Sequence, residues 1–140
     1  MMDRSEVEAL LPHRDPFLFV DRVVEADPGE RVVGIHDVPE DAFWIPGHFP
    51  GEPVMPGVLI AEALAQTAAL VYLTANRDKA NRPVFLVGMD KMRFRQPVRP
   101  GATLRLEVKV VSTRRMWTLE GTASVDGVRV ANGTFLATMP

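Results

Sequence analysis

Apolar and polar residues alternate from Thr103 to Val111: Leu104, Leu106, Val108 and Val110 fall on one side, Arg105, Glu107 and Lys109 on the other. A period of two marks a strand with one buried face. Met116 to Val125 alternates again, with Trp117, Leu119, Gly121, Ala123 and Val125 sharing a face. Asp126-Gly127 is a preferred two-residue hairpin turn, and Val128 to Met139 completes a meander. Pro83 to Phe94 leads into it. Upstream, Phe17–Glu25 and Arg31–Val38 are rich in β-formers and separated by Asp27-Pro28-Gly29, so they are expected to pair as a hairpin. Between these blocks the pattern changes. Val58 to Ala75 is built from Leu, Ala, Glu and Gln and is apolar in nearly every direction, which predicts a helix surrounded by protein. Ser5–Leu11 predicts a short helix, with Ser5 and Glu8 in capping-box spacing and Pro12 as its stop. Glu40–Gly57 is broken by prolines and glycines and is expected to be loop, and Asn76–Arg82 is a polar connection.

The order is therefore hairpin, one long buried helix, antiparallel meander: an α+β domain spanning residues 1–140. A helix hydrophobic all round needs a sheet that wraps it. One curved sheet of this size leaves part of it open, so a second copy covering the remaining face is expected.

Composition agrees with one globular domain: 140 residues, 46% hydrophobic and 24% charged. With no cysteine there is no disulfide framework, thiolate metal site or cysteine nucleophile. The first residues are acidic where a signal peptide would be basic, so no export is expected and a cytoplasmic location is. The apolar helix carries Glu62 and Gln66, which argues against a membrane span. The net charge of −2 hides a segregation: residues 1–60 hold 12 acidic and 4 basic residues, whereas half of all Lys and Arg lie in residues 91–115. Without a basic domain or a binding motif, nucleic acid is not the expected partner. The basic segment reads either as a solvated strand face or as a docking patch for an acidic partner.

Four of the 12 prolines (Pro46, Pro50, Pro53 and Pro56) fall in eleven residues around His48. A loop this stiff holds one side chain in place at low entropic cost. Pro56 suits the first turn of the helix, whose free N–H groups near Gly57 can receive a carbonyl oxygen or oxyanion. Glu62 lies on the second turn, and Gln66, four residues on, can hydrogen-bond it. His13 and His36 lack such surroundings and read as structural. One histidine and one glutamate do not make a metal-ligand set. A histidine base, a carboxylic acid and N–H donors suit elimination of water β to a thioester. They would equally serve thioester hydrolysis, with Glu62 activating water.

Longer motifs narrow the field. Leu11-Pro12-His13-Arg14 with Pro16-Phe17-Leu18 and Val20-Asp21-Arg22 resembles the N-terminal signature of the (3R)-hydroxyacyl-[acyl-carrier-protein] dehydratases of the FabZ type. Gly47-His48-Phe49-Pro50-Gly51 through Pro53–Leu59 is similar to their central motif, and Glu62–Gln66 to the start of their central helix. Phe94-Arg95, Pro97-Val98 and Pro100-Gly101 resemble a third block. The resemblance covers roughly residues 5–138. It implies a hot-dog fold and a homodimer with sites at the interface, commonly assembled as a trimer of dimers. It also implies that His48 is the catalytic base and Glu62 the catalytic acid from the other subunit. Gly57 and Val58 would bind the thioester through the helix start, with Gln66 supporting the carboxylate. No cofactor is implied. The acyl chain would lie between subunits along the central helix and Phe85–Phe94, and Arg93, Arg95, Arg99, Arg114 and Arg115 would dock acyl carrier protein. Glu62, where dehydratase-isomerases usually carry Asp, favours the simple dehydratase. Departures at Asp15, Lys91-Met92, Ala102, Gly133 and Phe135 miss the catalytic positions. A hot-dog thioesterase, an enoyl-CoA hydratase and a non-catalytic acyl-binding subunit are the alternatives.

Overall fold

The computed structural model describes residues 1–140. Its elements are α1 (Arg4–Leu10), β1 (Arg22–Asp27), β2 (Arg31–Asp37), α2 (Gly57–Ala75), a 3-10 turn (Arg77–Lys79), β3 (Phe85–Phe94), β4 (Thr103–Ser112), β5 (Trp117–Val125) and β6 (Val128–Thr138). The strands form one antiparallel sheet in the order β1-β2-β4-β5-β6-β3, curved around α2. This is the expected hot-dog architecture.

The alternating residues of the meander explain the core. Leu104, Leu106 and Val108 of β4, Leu119 of β5 and Phe135 of β6 are fully buried with Leu64, Leu70 and Leu73 of α2. Gly121 of β5 sits under Leu64 of α2: a Cβ there would lie 3.0 Å from a Phe135 ring carbon and 3.3 Å from Leu64 Cδ2. At the β5–β6 turn, Asp126 and Gly127 take φ of 50° and 78°, the left-handed pair a tight hairpin requires. α2 is the one helix long and apolar enough to cross a membrane by length and composition, and it is mostly buried inside the chain.

Two expectations need correction. The capping box of α1 is Asp3 with Glu6, two residues before the Ser5–Glu8 pair. Asp3 accepts from the Glu6 N–H at 2.9 Å and Glu6 accepts from the Asp3 N–H at 3.1 Å. The first strand also begins at Arg22 rather than Phe17. Leu18, Phe19 and Val20 of segment 17–21 are apolar because they are buried in the core. At Phe17 and Phe19 the backbone is met by a side chain instead of a strand: Phe19 N–H donates to Gln66 Oε1 (2.8 Å), and Gln66 Nε2 donates to the Phe17 carbonyl (2.9 Å). A buried amide left unpaired would cost about 1–3 kcal/mol; here both ends of Gln66 are used.

Asp21, at the end of that segment, accepts from His36 Nδ1 (3.0 Å) and the Asp37 N–H (2.7 Å) and faces Arg4 Nη1 at 2.5 Å. Burial alone would raise its carboxyl, but the His36 and Asp37 hydrogen bonds outweigh it and, with Arg4, hold it below the ordinary 3.8. A carboxylate depressed in the folded state stabilises fully above its unfolded value and loses that contribution as pH falls through the folded one. Asp21→Asn is thus expected to lower Tm at neutral pH. Its Tm should also fall less steeply than the parent's below about pH 4 in thermal melts across pH.

Candidate active site

Residues 44–57 form a loop closed by its own backbone. Phe49 and Glu52 exchange two hydrogen bonds (3.3 and 2.9 Å), around Gly51 at φ +77°. Val54 N–H donates to the His48 carbonyl at 2.8 Å, and Met55 N–H donates to the Val98 carbonyl at 2.7 Å, tying the loop to the segment after β3. His48, half-buried, stacks on Phe49 and sets its Nδ1 2.7 Å from the Val54 carbonyl. A carbonyl only accepts, so Nδ1 carries the proton and Nε2 presents a lone pair. The loop thereby fixes the tautomer that a general base needs.

The loop runs directly into α2. Pro56 is its N-cap and supplies no side-chain acceptor. Leu59 and Ile60 N–H both turn back to the Pro56 carbonyl, so the Gly57 and Val58 N–H groups are the helix donors left over. His48 and Gly57 line one pocket of about 270 Å³ with Val54, Met55, Ile60 and Phe94. A Cβ at Gly57 would sit 3.1 Å from the Phe94 ring, so a side chain there would crowd the pocket. A lone-pair nitrogen and a helix-start donor facing an apolar space can take an acidic C–H and an adjacent carbonyl.

Glu62 does not line that pocket. Its Oε2 accepts from Gln66 Nε2 at 2.9 Å, and His13 Nε2 lies 3.6 Å from the same oxygen. Within one chain, then, His48 and Gly57 come together, Val58 follows at the helix start with its side chain exposed, and Glu62 and Gln66 form a second group. The basic residues divide as well. Arg95 lines the pocket and donates to Asn132, Arg99 lies 3.8 Å from Glu52, and Arg93 is exposed nearby on β3. Arg114 and Arg115 sit in the β4–β5 turn, at the end of the sheet where β3 begins. That is roughly 30 Å of strand away from Arg95.

Comparison with known proteins addresses the chain as a whole. The FabA-like domain family profile matches residues 11–134. A 3-hydroxyacyl-[acyl-carrier-protein] dehydratase FabZ of Myxococcus xanthus is 52% identical over 140 residues, covering 99% of this chain and 92% of its own length. The FabZ of Geotalea uraniireducens is 46% identical, covering 98% and 96%. This chain belongs to the FabZ family. The fold has independent support from the solved dehydratase heterocomplex ApeI:P of Xenorhabdus doucetiae. It superposes with a TM-score of 0.79 over 96% of this chain and 90% of its own, at 21% identity.

The fold places the Leu11–Arg14 segment, part of the FabZ-like signature, beside the Glu62 group through His13. Arg14 donates to the carbonyls of Glu8 (3.0 Å), Leu11 (2.8 Å) and His13 (2.7 Å), clamping the turn that carries His13. The spacing of 49 residues between His13 and Glu62 hid this contact from the sequence, which left His13 as structural. Its position inside a FabZ motif was the one available signal. His36, by contrast, is buried against Phe19 and paired with Asp21.

Proposed function

We propose that this protein dehydrates (3R)-hydroxyacyl-[acyl-carrier-protein] to the trans-2-enoyl thioester in fatty acid biosynthesis, at sites shared between two copies of the chain. The observation that carries the chemistry is the fixed lone pair of His48 Nε2 in the pocket that also receives the helix-start N–H groups. With the thioester carbonyl on Gly57 and Val58 N–H, charge developing on its oxygen is stabilised as His48 takes the α-proton. The electron pair forms the C2–C3 double bond and the C3–O bond breaks. The departing hydroxyl takes its proton from Glu62, giving water. The imidazolium proton then returns to the carboxylate, restoring both groups.

Glu62 reaches this pocket from the partner copy. The residues of α2 left incompletely covered include Val58, Glu62 and Ala65, spaced along one face. β3, at the sheet edge, exposes Phe85, Leu86, Val87, Met89 and Phe94. A long apolar edge strand is a liability unless something pairs with it. A second copy set against β3 and the open helix face would cover both and enclose the acyl chain. Incubating the protein with crotonyl-ACP tests the reaction. Loss of enoyl absorbance without thiol release is the expected result, thiol release would indicate a thioesterase, and binding alone an acyl-binding subunit.

Carrier docking is assigned to Arg95, which lines the pocket, with the exposed Arg93 and Arg99 close to it in sequence. Reversing Arg95 and Arg99 to Glu is expected to raise KM for the carrier-bound substrate about tenfold at low salt and flatten its salt dependence. The effect on kcat should be small. Reversing Arg114 and Arg115 serves as the comparison. An unchanged salt dependence in the Arg95/Arg99 variant would remove the docking assignment.

A further inference from the structure

We propose that His13 is a positioning residue for Glu62: together with Gln66 it holds the Oε2 atom, so that the transferable proton of the acid sits on Oε1. This deepens the reading of Glu62 as the proton donor and rests on it. The argument begins with Gln66. Because its Oε1 accepts from the Phe19 N–H, the atom facing Glu62 must be the NH2 group. That group also donates to the Phe17 carbonyl, so neither its position nor its orientation is free.

His13 is fixed comparably. Its Nδ1 is buried with no hydrogen-bond partner, while Nε2 lies 3.6 Å from Glu62 Oε2. Burial, and secondarily the Arg14 charge, hold the ring below the ordinary histidine value of 6.5 against the opposing pull of Glu62, so it is neutral at neutral pH. A neutral ring carries one N–H. On Nδ1 that hydrogen would be buried with nothing to accept it; on Nε2 it points at the carboxyl. The separation is just too long for a hydrogen bond, and contacts of this kind commonly tighten when substrate is bound.

Two N–H groups therefore converge on Oε2. A carboxylic acid placed there cannot carry its own hydrogen on Oε2 without setting it against a donor. The hydrogen belongs on Oε1, which no group of this chain hydrogen-bonds and which is free to meet the departing hydroxyl. The Arg14 clamp on the Leu11–His13 turn makes this a built arrangement, since it fixes the backbone from which His13 projects.

The test is a double-mutant cycle in the dehydration assay. His13→Leu is expected to lower kcat roughly tenfold, the factor that one hydrogen bond to an ionisable group represents, with KM within about twofold. His13→Gln, which places an NH2 where Nε2 was, is expected to restore most of the rate. In a Glu62→Gln background, His13→Leu is expected to cause no further loss, because the group it positions has gone. Repeating the cycle with His13→Ala, with thermal melts on every variant, separates lost activity from lost fold. Wild-type kcat in the folded His13→Leu or His13→Ala protein would overturn the proposal, as would an equal loss in both backgrounds. Glu62→Gln alone distinguishes the failures: near-normal activity would refute the acid itself, whereas an inactive Glu62→Gln with an indifferent His13 refutes only the positioning role.

Discussion

His48→Ala is expected to reduce dehydration by at least about 10²-fold while leaving the fold intact, because general-base removal forfeits roughly 10²–10⁴ in rate. The fold should survive because the side chain makes one hydrogen bond, to the Val54 carbonyl. The loop's main-chain bonds, Val54 N–H to the His48 carbonyl and the Phe49–Glu52 pair, do not involve the imidazole. Tm and circular dichroism should therefore match the parent, with the loss falling on kcat. Activity near the parent's would remove His48 as the base.

A larger qualitative effect is expected from mixing two inactive proteins. Glu62→Ala should also lose at least about 10²-fold. If each site takes His48 from one chain and Glu62 from its partner, a heterodimer of the two variants has one doubly damaged site and one intact site. Random pairing makes half of the dimers mixed, so co-expression in equal amounts should recover about a quarter of wild-type activity. If both residues came from one chain, every site would keep one lesion and nothing would return. The single-chain geometry motivates the first outcome: Glu62 stands outside the pocket that holds His48, on the helix face left partly uncovered.

These expectations depend on features of unequal legibility. The meander could be read from alternation because each strand buries one face against one helix, and the Asp126-Gly127 turn has few alternatives. α2 was legible from its lack of a polar face. Residues 17–20 read as strand because burial of Leu18, Phe19 and Val20 makes a segment apolar whether its backbone is met by a strand or by Gln66; composition does not distinguish the two. The capping box was displaced because Asp3 and Ser5 are both good caps, and the Met2–Val23 backbone pairing that places the chain start is non-local. In the site, the loop that fixes His48 was visible in its prolines, and the Glu62–Gln66 pair in its helical spacing. The tautomer of His48 was not, since it depends on where the Val54 carbonyl points. The His13 contact was not either, since it joins two elements that only the tertiary fold brings together.

The attachment of β3 bears on how such an enzyme diversifies. β3 pairs with β6 at the sheet edge, and its exposed side chains at 85, 86, 87 and 89 take no part in the hydrogen bonds that fix His48, Glu62 or Gln66. If β3 walls the acyl tail as proposed, substitutions there would reshape that wall without disturbing His48, Glu62 or Gln66. Changes at position 66 have no such freedom, because one side chain serves both Glu62 and the backbone of segment 17–19. On the proposed site, selectivity for tail length and competence for the reaction would therefore be separable, the first open to drift along the rim and the second locked to the centre.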